Sequence, residues 1–189
     1  MTYLGNGLQA AARHEEASSV KEAALATLRR FGAPEEEILQ VQTNLACTYS
    51  SLGREEEALR LKREVYSGRL KLDGEEHANT ILEANNYASS LGRLQRFGEA
   101  KALLRRMMPV ARRVYGDSHQ FTLMMRKNYA ATLFEDTCAT LDDLREAVTT
   151  LEDVERTARR VLGGAHPTTE GTEAALRDAR DALAALETT

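Results

Sequence analysis

Amides, imidazoles, carboxylates and thiols recur along this 189-residue chain at spacings that could support chemistry. Asn44, Asn86 and Asn128 follow one another at steps of 42 residues. An amide carries a donor and an acceptor, so a row of them on successive elements could hold the backbone of an extended peptide. The same amides could instead satisfy neighbouring helix ends or loop backbone. His77, His119 and His166 share a second recurrent position, where imidazoles would invite a metal assignment. Runs of acids at Glu35–Glu37, Glu55–Glu57, Glu75–Glu76 and Asp142–Asp143 could in principle exchange protons, and Cys47 or Cys138 could act as a nucleophile.

Most of this chemistry fails on spacing. The histidines come one per repeat, and packed helices stand about 10 Å apart, whereas ligands of one zinc lie within a few Å of each other. No metal is expected, and the rings are read as packing or hydrogen bonding at the turn between repeats. The acidic runs stand where helices should begin, against the positive end of the helix dipole, so electrostatics accounts for them without catalysis. The two cysteines lack ligand spacing and read as reduced thiols, with no cation near Cys47 in the sequence to activate it. Gly5-Asn-Gly7 follows no strand and cannot cradle a phosphate. No catalytic set emerges, and neither an enzyme nor a cofactor is expected.

The elements that position these residues are set by an internal period. Gly32, Gly74 and Gly116 keep the 42-residue step, as do Glu57-Ala58 and Glu99-Ala100, while Glu146-Ala147 and Gly163 come 47 residues after their predecessors. The five extra residues fall in the polar stretch Glu135–Thr140. Within each unit apolar residues recur at three and four spacing, as in Ile38, Val41, Leu45, Tyr49 and Leu52, then Ala58, Leu61 and Val65, which marks two helices with one buried stripe each. Such a hairpin cannot cover its own apolar face, so neighbouring units must stack. The spacing predicts helices over 8–31, 35–52, 55–72, 76–94, 97–115, 118–135, 141–162 and 168–187. Pro109 should kink or open the fifth, Thr140 to Asp143 resembles a capping box, and the recurrent glycines should close second helices in a left-handed conformation. The chain reads as one repeat domain over 1–189, with a partial repeat or cap at 1–32, units at about 33–74, 75–116 and 117–163, and a terminal helix at 164–189.

With 25 basic against 29 acidic residues, a net charge of -4, and basic pairs interleaved with acids or late in helices, a nucleic-acid partner is not expected. No stretch is long and apolar enough to cross a membrane and no leader opens the chain, so a cytoplasmic location is expected.

The unit resembles the 42-residue tetratricopeptide repeat of kinesin light chains and related scaffolds. The resemblance lies in Asn-(Leu/Tyr)-Ala, then a large residue three positions on (Tyr49, Leu91, Leu133), then Glu-Ala, then Gly-x-x-His-x-x-Thr at Gly74–Thr80, Gly116–Thr122 and Gly163–Thr169. It covers about residues 33 to 170. It implies an all-α, right-handed superhelical solenoid of antiparallel helix pairs whose first helices line a concave groove. By motif the groove positions would be Gln40, Thr43, Asn44 and Cys47, then Leu82, Asn85, Asn86 and Ser89, then Met124, Lys127, Asn128 and Ala131. Lys127 is nearly alone as a groove cation, so a clamp for a carboxy-terminal acidic peptide is not expected. No heptad segment precedes the repeats, so association with a motor is not implied, and residues 1–31 look like the trailing part of an earlier repeat. The expected function is a scaffold binding a peptide segment of a protein partner. The alternative is an assembly module that self-associates or packs on flanking domains through its terminal helices.

Overall fold

The computed structural model of the chain describes residues 14–188. Among them every regular element is an α-helix: α1 His14–Arg30, α2 Glu35–Ser51, α3 Glu55–Leu72, α4 Ala78–Arg93, α5 Phe97–Tyr115, α6 Gln120–Phe134, α7 Leu141–Leu162 and α8 Pro167–Glu187. The expected helices stand within two or three residues of these bounds, except that positions 8–13 of the first lie outside the described residues. Two compact units meet at Glu75/Glu76, where the second repeat was expected to begin. In the first unit α1 packs on α2 and α2 on α3. In the second, each of α4 to α8 packs on the next, and in addition α4 meets α6 and α6 meets α8. The even-numbered helices are the first helices of their repeats, so in the second unit they also pack on one another.

The repeated small residues lie in the interior of the stack. Ala46, Ala88 and Ala130 of the Asn-x-Ala motif, and Ala58, Ala100 and Ala147 of Glu-Ala, are all buried. A methyl group there lets two helix backbones come near while larger neighbours fill the remaining space. In the first unit Leu25, Val41, Leu45, Tyr49 and Leu61 form that filling. In the second, Leu123 of α6 packs with Val154 and Ala158 of α7, and Leu91, Leu104, Met107, Leu133 and Leu151 are also buried.

The Gly-x-x-His-x-x-Thr motif closes each turn. His77, His119 and His166 are N-caps of α4, α6 and α8, and each Nδ1 accepts the backbone N–H two residues on, at 3.2, 3.2 and 3.1 Å. This is the hydrogen-bonding role expected of the rings, and it supplies a partner for one of the free N–H groups at a helix start. In two of the turns the threonine then ties back to the preceding segment, Thr122 Oγ1 donating to Ala111 O and Thr169 Oγ1 to Gly163 O, whereas the buried Thr80 Oγ1 makes no hydrogen bond. Two expectations change. The acids Glu75 and Glu76 lie before α4, whose first turn holds no acid; Glu76 instead accepts from Arg113 at 2.9 Å. Gly116 and Gly163 have positive φ of 90° and 91° but extended ψ of 162° and 161°, a region essentially reserved for glycine and different from the left-handed helical closure expected.

Acids fill the first turns of α2, α3 and α7 as expected, and Thr140 with Asp143 forms a capping box. α5 runs as one helix through Pro109, which is exposed. The inserted stretch before α7 is held by Asp136, whose carboxylate accepts from the Cys138 N–H at 2.9 Å.

Candidate functional site

In the second unit the three first helices enclose a cleft of about 360 Å³. α4 contributes Ala88, Ser89, Gly92 and Arg93; α6 contributes Lys127, Asn128, Ala131, Thr132, Phe134 and, just past its end, Glu135; α8 contributes Gly171, Ala174, Ala175 and Asp178. Small residues on facing turns of all three helices create the space, since nothing projects to fill it.

Polar groups are distributed within this cleft. Asn128 Nδ2 donates to Oδ1 of Asn85, a buried residue on α4, at 2.9 Å. One N–H of Asn128 is thereby fixed, and its own oxygen remains available. Lys127 is half-buried, its ammonium directed towards Gly171, where an added Cβ would lie 3.5 Å from Nζ. No hydrogen bond or ion pair holds that ammonium among the described residues. At the other end of the cleft Glu135 is raised above the usual carboxylate range, first by loss of solvent around the carboxyl and then by the negative charge of Asp178. Neither carboxylate has a cationic partner among the described residues.

Of the positions expected in the groove, Ser89, Lys127, Asn128 and Ala131 line this cleft together. Leu82, Asn86 and Met124 are half-buried on the same helices but outside its lining, and Asn86 donates to Glu83 at 3.2 Å. Gln40, Thr43, Asn44 and Cys47 lie on α2 in the first unit, with Gln40 and Cys47 exposed. There the structure corrects one expectation. Lys21 of α1 is fully buried and donates from Nζ to Thr48 Oγ1 at 2.6 Å and to the Asn44 carbonyl at 3.2 Å. Burial lowers the Lys21 ammonium from its usual value, and Cys47 is close enough to act on it electrostatically, so a cation does stand near the thiol.

The residues of α8 were missed because that helix reads as a terminal cap. The signal was nevertheless present. One further step of 47 carries Met124, Lys127, Asn128 and Ala131 onto Gly171, Ala174, Ala175 and Asp178, the four residues α8 places in the cleft.

A stack of helix pairs whose first helices share an open cleft defines a helical-repeat interaction module. Tetratricopeptide repeat family models match residues 1–71 and 84–120, together more than half the chain. The chain belongs to the tetratricopeptide repeat proteins, and its fold is of the kinesin-light-chain-like kind. Two crystal structures of a Podosopora anserina protein assigned as a kinesin light chain, with nearly identical TPR-like repeats, are similar at 21% identity. Their TM-scores are 0.82 and 0.79, over 99% of this chain and 86% and 87% of theirs. The crystal structure of BtubC (BKLC) from P. vanneervenii is similar at 15% identity and a TM-score of 0.65, over 98% of this chain and 79% of that one. No curated protein matches by sequence. Repeats of this family are in general protein–protein interaction modules and non-catalytic scaffolds. Among the described residues no helix is long and apolar enough to cross a membrane.

Proposed function

We propose that the chain is an interaction scaffold that binds a peptide segment of a protein partner in the cleft between α4, α6 and α8. The observation that carries this reading is the equivalence of the lining between neighbouring first helices: Ser89, Gly92 and Arg93 correspond to Ala131, Phe134 and Glu135, and Lys127, Asn128 and Ala131 to Ala174, Ala175 and Asp178, several of them small, so a backbone can approach closely. Ser89 and Asn128 offer polar atoms to that backbone, and Phe134 offers an aromatic face. The groove positions on α2 would extend the same surface type within the first unit.

Gly92 gives a clean test. A Cβ built there meets nothing within 4 Å, and Gly92 lines the cleft, so Gly92→Trp carries an indole into the site from a position with room for its Cβ. Peptides selected from a random displayed library on the full chain should bind it and lose binding to Gly92→Trp at unchanged melting temperature. Selected peptides that bind both proteins equally would place the binding surface elsewhere.

A further inference from the structure

Of the charged side chains that line the cleft, Arg93 is engaged in an interaction of its own, while Lys127, Glu135 and Asp178 make no hydrogen bond or ion pair among the described residues. Lys127 of α6 stands eight residues before Glu135, the residue that caps the end of that helix, which at the rise of an α-helix is about 12 Å. An extended strand advances roughly 3.3 Å per residue, so that distance spans three or four residues of a bound peptide. Gly171 and Ala174 flank the Lys127 end, while Asp178 joins Glu135 at the other. We propose that this cleft selects a peptide in which an arginine or lysine, received between Glu135 and Asp178, stands three or four residues from an acidic side chain received by Lys127. The proposal rests on the cleft being the peptide site and adds the chemistry of its occupant.

Charge complementarity favours this occupant over a uniformly acidic or apolar one. Glu135 and Asp178 are two like-charged carboxylates on one cleft and repel each other, which adds to the larger effect of burial in raising the Glu135 carboxyl. A guanidinium or ammonium between them removes that repulsion and restores hydrogen bonds to both. A uniformly acidic peptide would satisfy Lys127 and worsen the far end. An uncharged peptide would cover Lys127, Glu135 and Asp178 without replacing the water it displaces, which is unfavourable for a partly buried ion. The small floor between the two ends, with Ala131 and Ala175, imposes no charge of its own.

The test uses the full chain and short alanine–serine peptides that carry one arginine and one aspartate at systematically varied separation, with arginine-only, aspartate-only and uncharged controls. Fluorescence anisotropy should give the tightest binding at separations of three or four. The double variant Glu135→Gln/Asp178→Asn should weaken that peptide about tenfold, as for loss of one charged hydrogen-bonded contact, and bring it to the level of the aspartate-only control. Unchanged affinity in the double variant, no preference in separation, or no binding by any charged peptide overturns the proposal. If the double variant has no effect but Gly92→Trp abolishes binding, the cleft is still the site and only the charge assignment fails. If Gly92→Trp also has no effect, the cleft itself is not the site.

Discussion

Asn128 donates from Nδ2 to Oδ1 of Asn85 across 2.9 Å, joining α6 to α4 through two side-chain amides, and Asn85 is only 5% exposed. The recurrent asparagine therefore acts inside the repeat stack as well as on its surface. It fixes two first helices relative to each other and still leaves its oxygen on the cleft. The asparagine one repeat earlier behaves differently, since Asn86 donates to Glu83 within its own helix.

Removing the inner amide contact should destabilise the second unit. Asn128→Ala strands the buried Asn85 oxygen without its donor, which should cost about 1–3 kcal/mol in urea unfolding. The double change Asn85→Ala/Asn128→Ala should cost less than the sum of the two single changes, because the two groups are direct partners. Strict additivity would show that the bond contributes nothing.

Backbone geometry gives opposite signs at three positions. Gln95 holds φ of 58° at the place where the preceding repeat has Gly53 with φ of 74°. Gln95→Gly should stabilise by about 1 kcal/mol, since a side chain is unfavourable there. Gly171→Ala should also stabilise, by about 0.5–1 kcal/mol, because its Cβ meets only Lys127 Nζ at 3.5 Å. Gly68→Ala should instead destabilise by about 1–3 kcal/mol, because its Cβ would lie 2.5 Å from Cδ2 of the buried Leu39. Thermal melts of the three variants check the signs.

Acid should weaken the second unit through Asp143. Its carboxylate accepts from Lys101 at 2.7 Å and from the hydroxyl and backbone N–H of Thr140, which hold its pKa down to about 2. A depressed carboxylate stabilises the fold above its ordinary pKa near 4 and loses that contribution as pH falls towards 2. Asp143→Asn should therefore lower stability by about 1–2 kcal/mol at pH 6, and the gap between the two proteins should narrow below about pH 4 and close only as pH falls through about 2. A gap independent of pH would contradict the ion pair.

The turn histidines act as caps. His166→Ala removes the acceptor of the Thr168 N–H and should cost about 1 kcal/mol, whereas His166→Asn, which can also accept at an N-cap, should recover most of it. Equal losses in the two variants would mean that the ring matters for its packing and not for its nitrogen.

Much of this was legible in the sequence because repetition reports packing. The period located the helices, and the recurrent alanines fell on their buried faces. The site was legible only in part. Ser89, Lys127, Asn128 and Ala131 follow from the motif, but Gly171 to Asp178 sit on a helix that lacks the motif's asparagine, with Ala175 in its place. Lys21 was invisible for another reason: its partners Asn44 and Thr48 lie more than twenty residues away on a different helix, and no local pattern marks a lysine that folding will bury. The Glu135–Asp178 pairing likewise depends on how the inserted stretch leaves α6, which spacing alone does not determine.

The most direct test of the cleft as a binding site is backbone amide NMR of the full chain titrated with a peptide selected on it. Shift changes should concentrate at Ser89, Gly92, Lys127, Asn128, Ala131 and Ala175, on the three first helices. Changes confined to α5 and α7, with those six amides unmoved, would contradict the account.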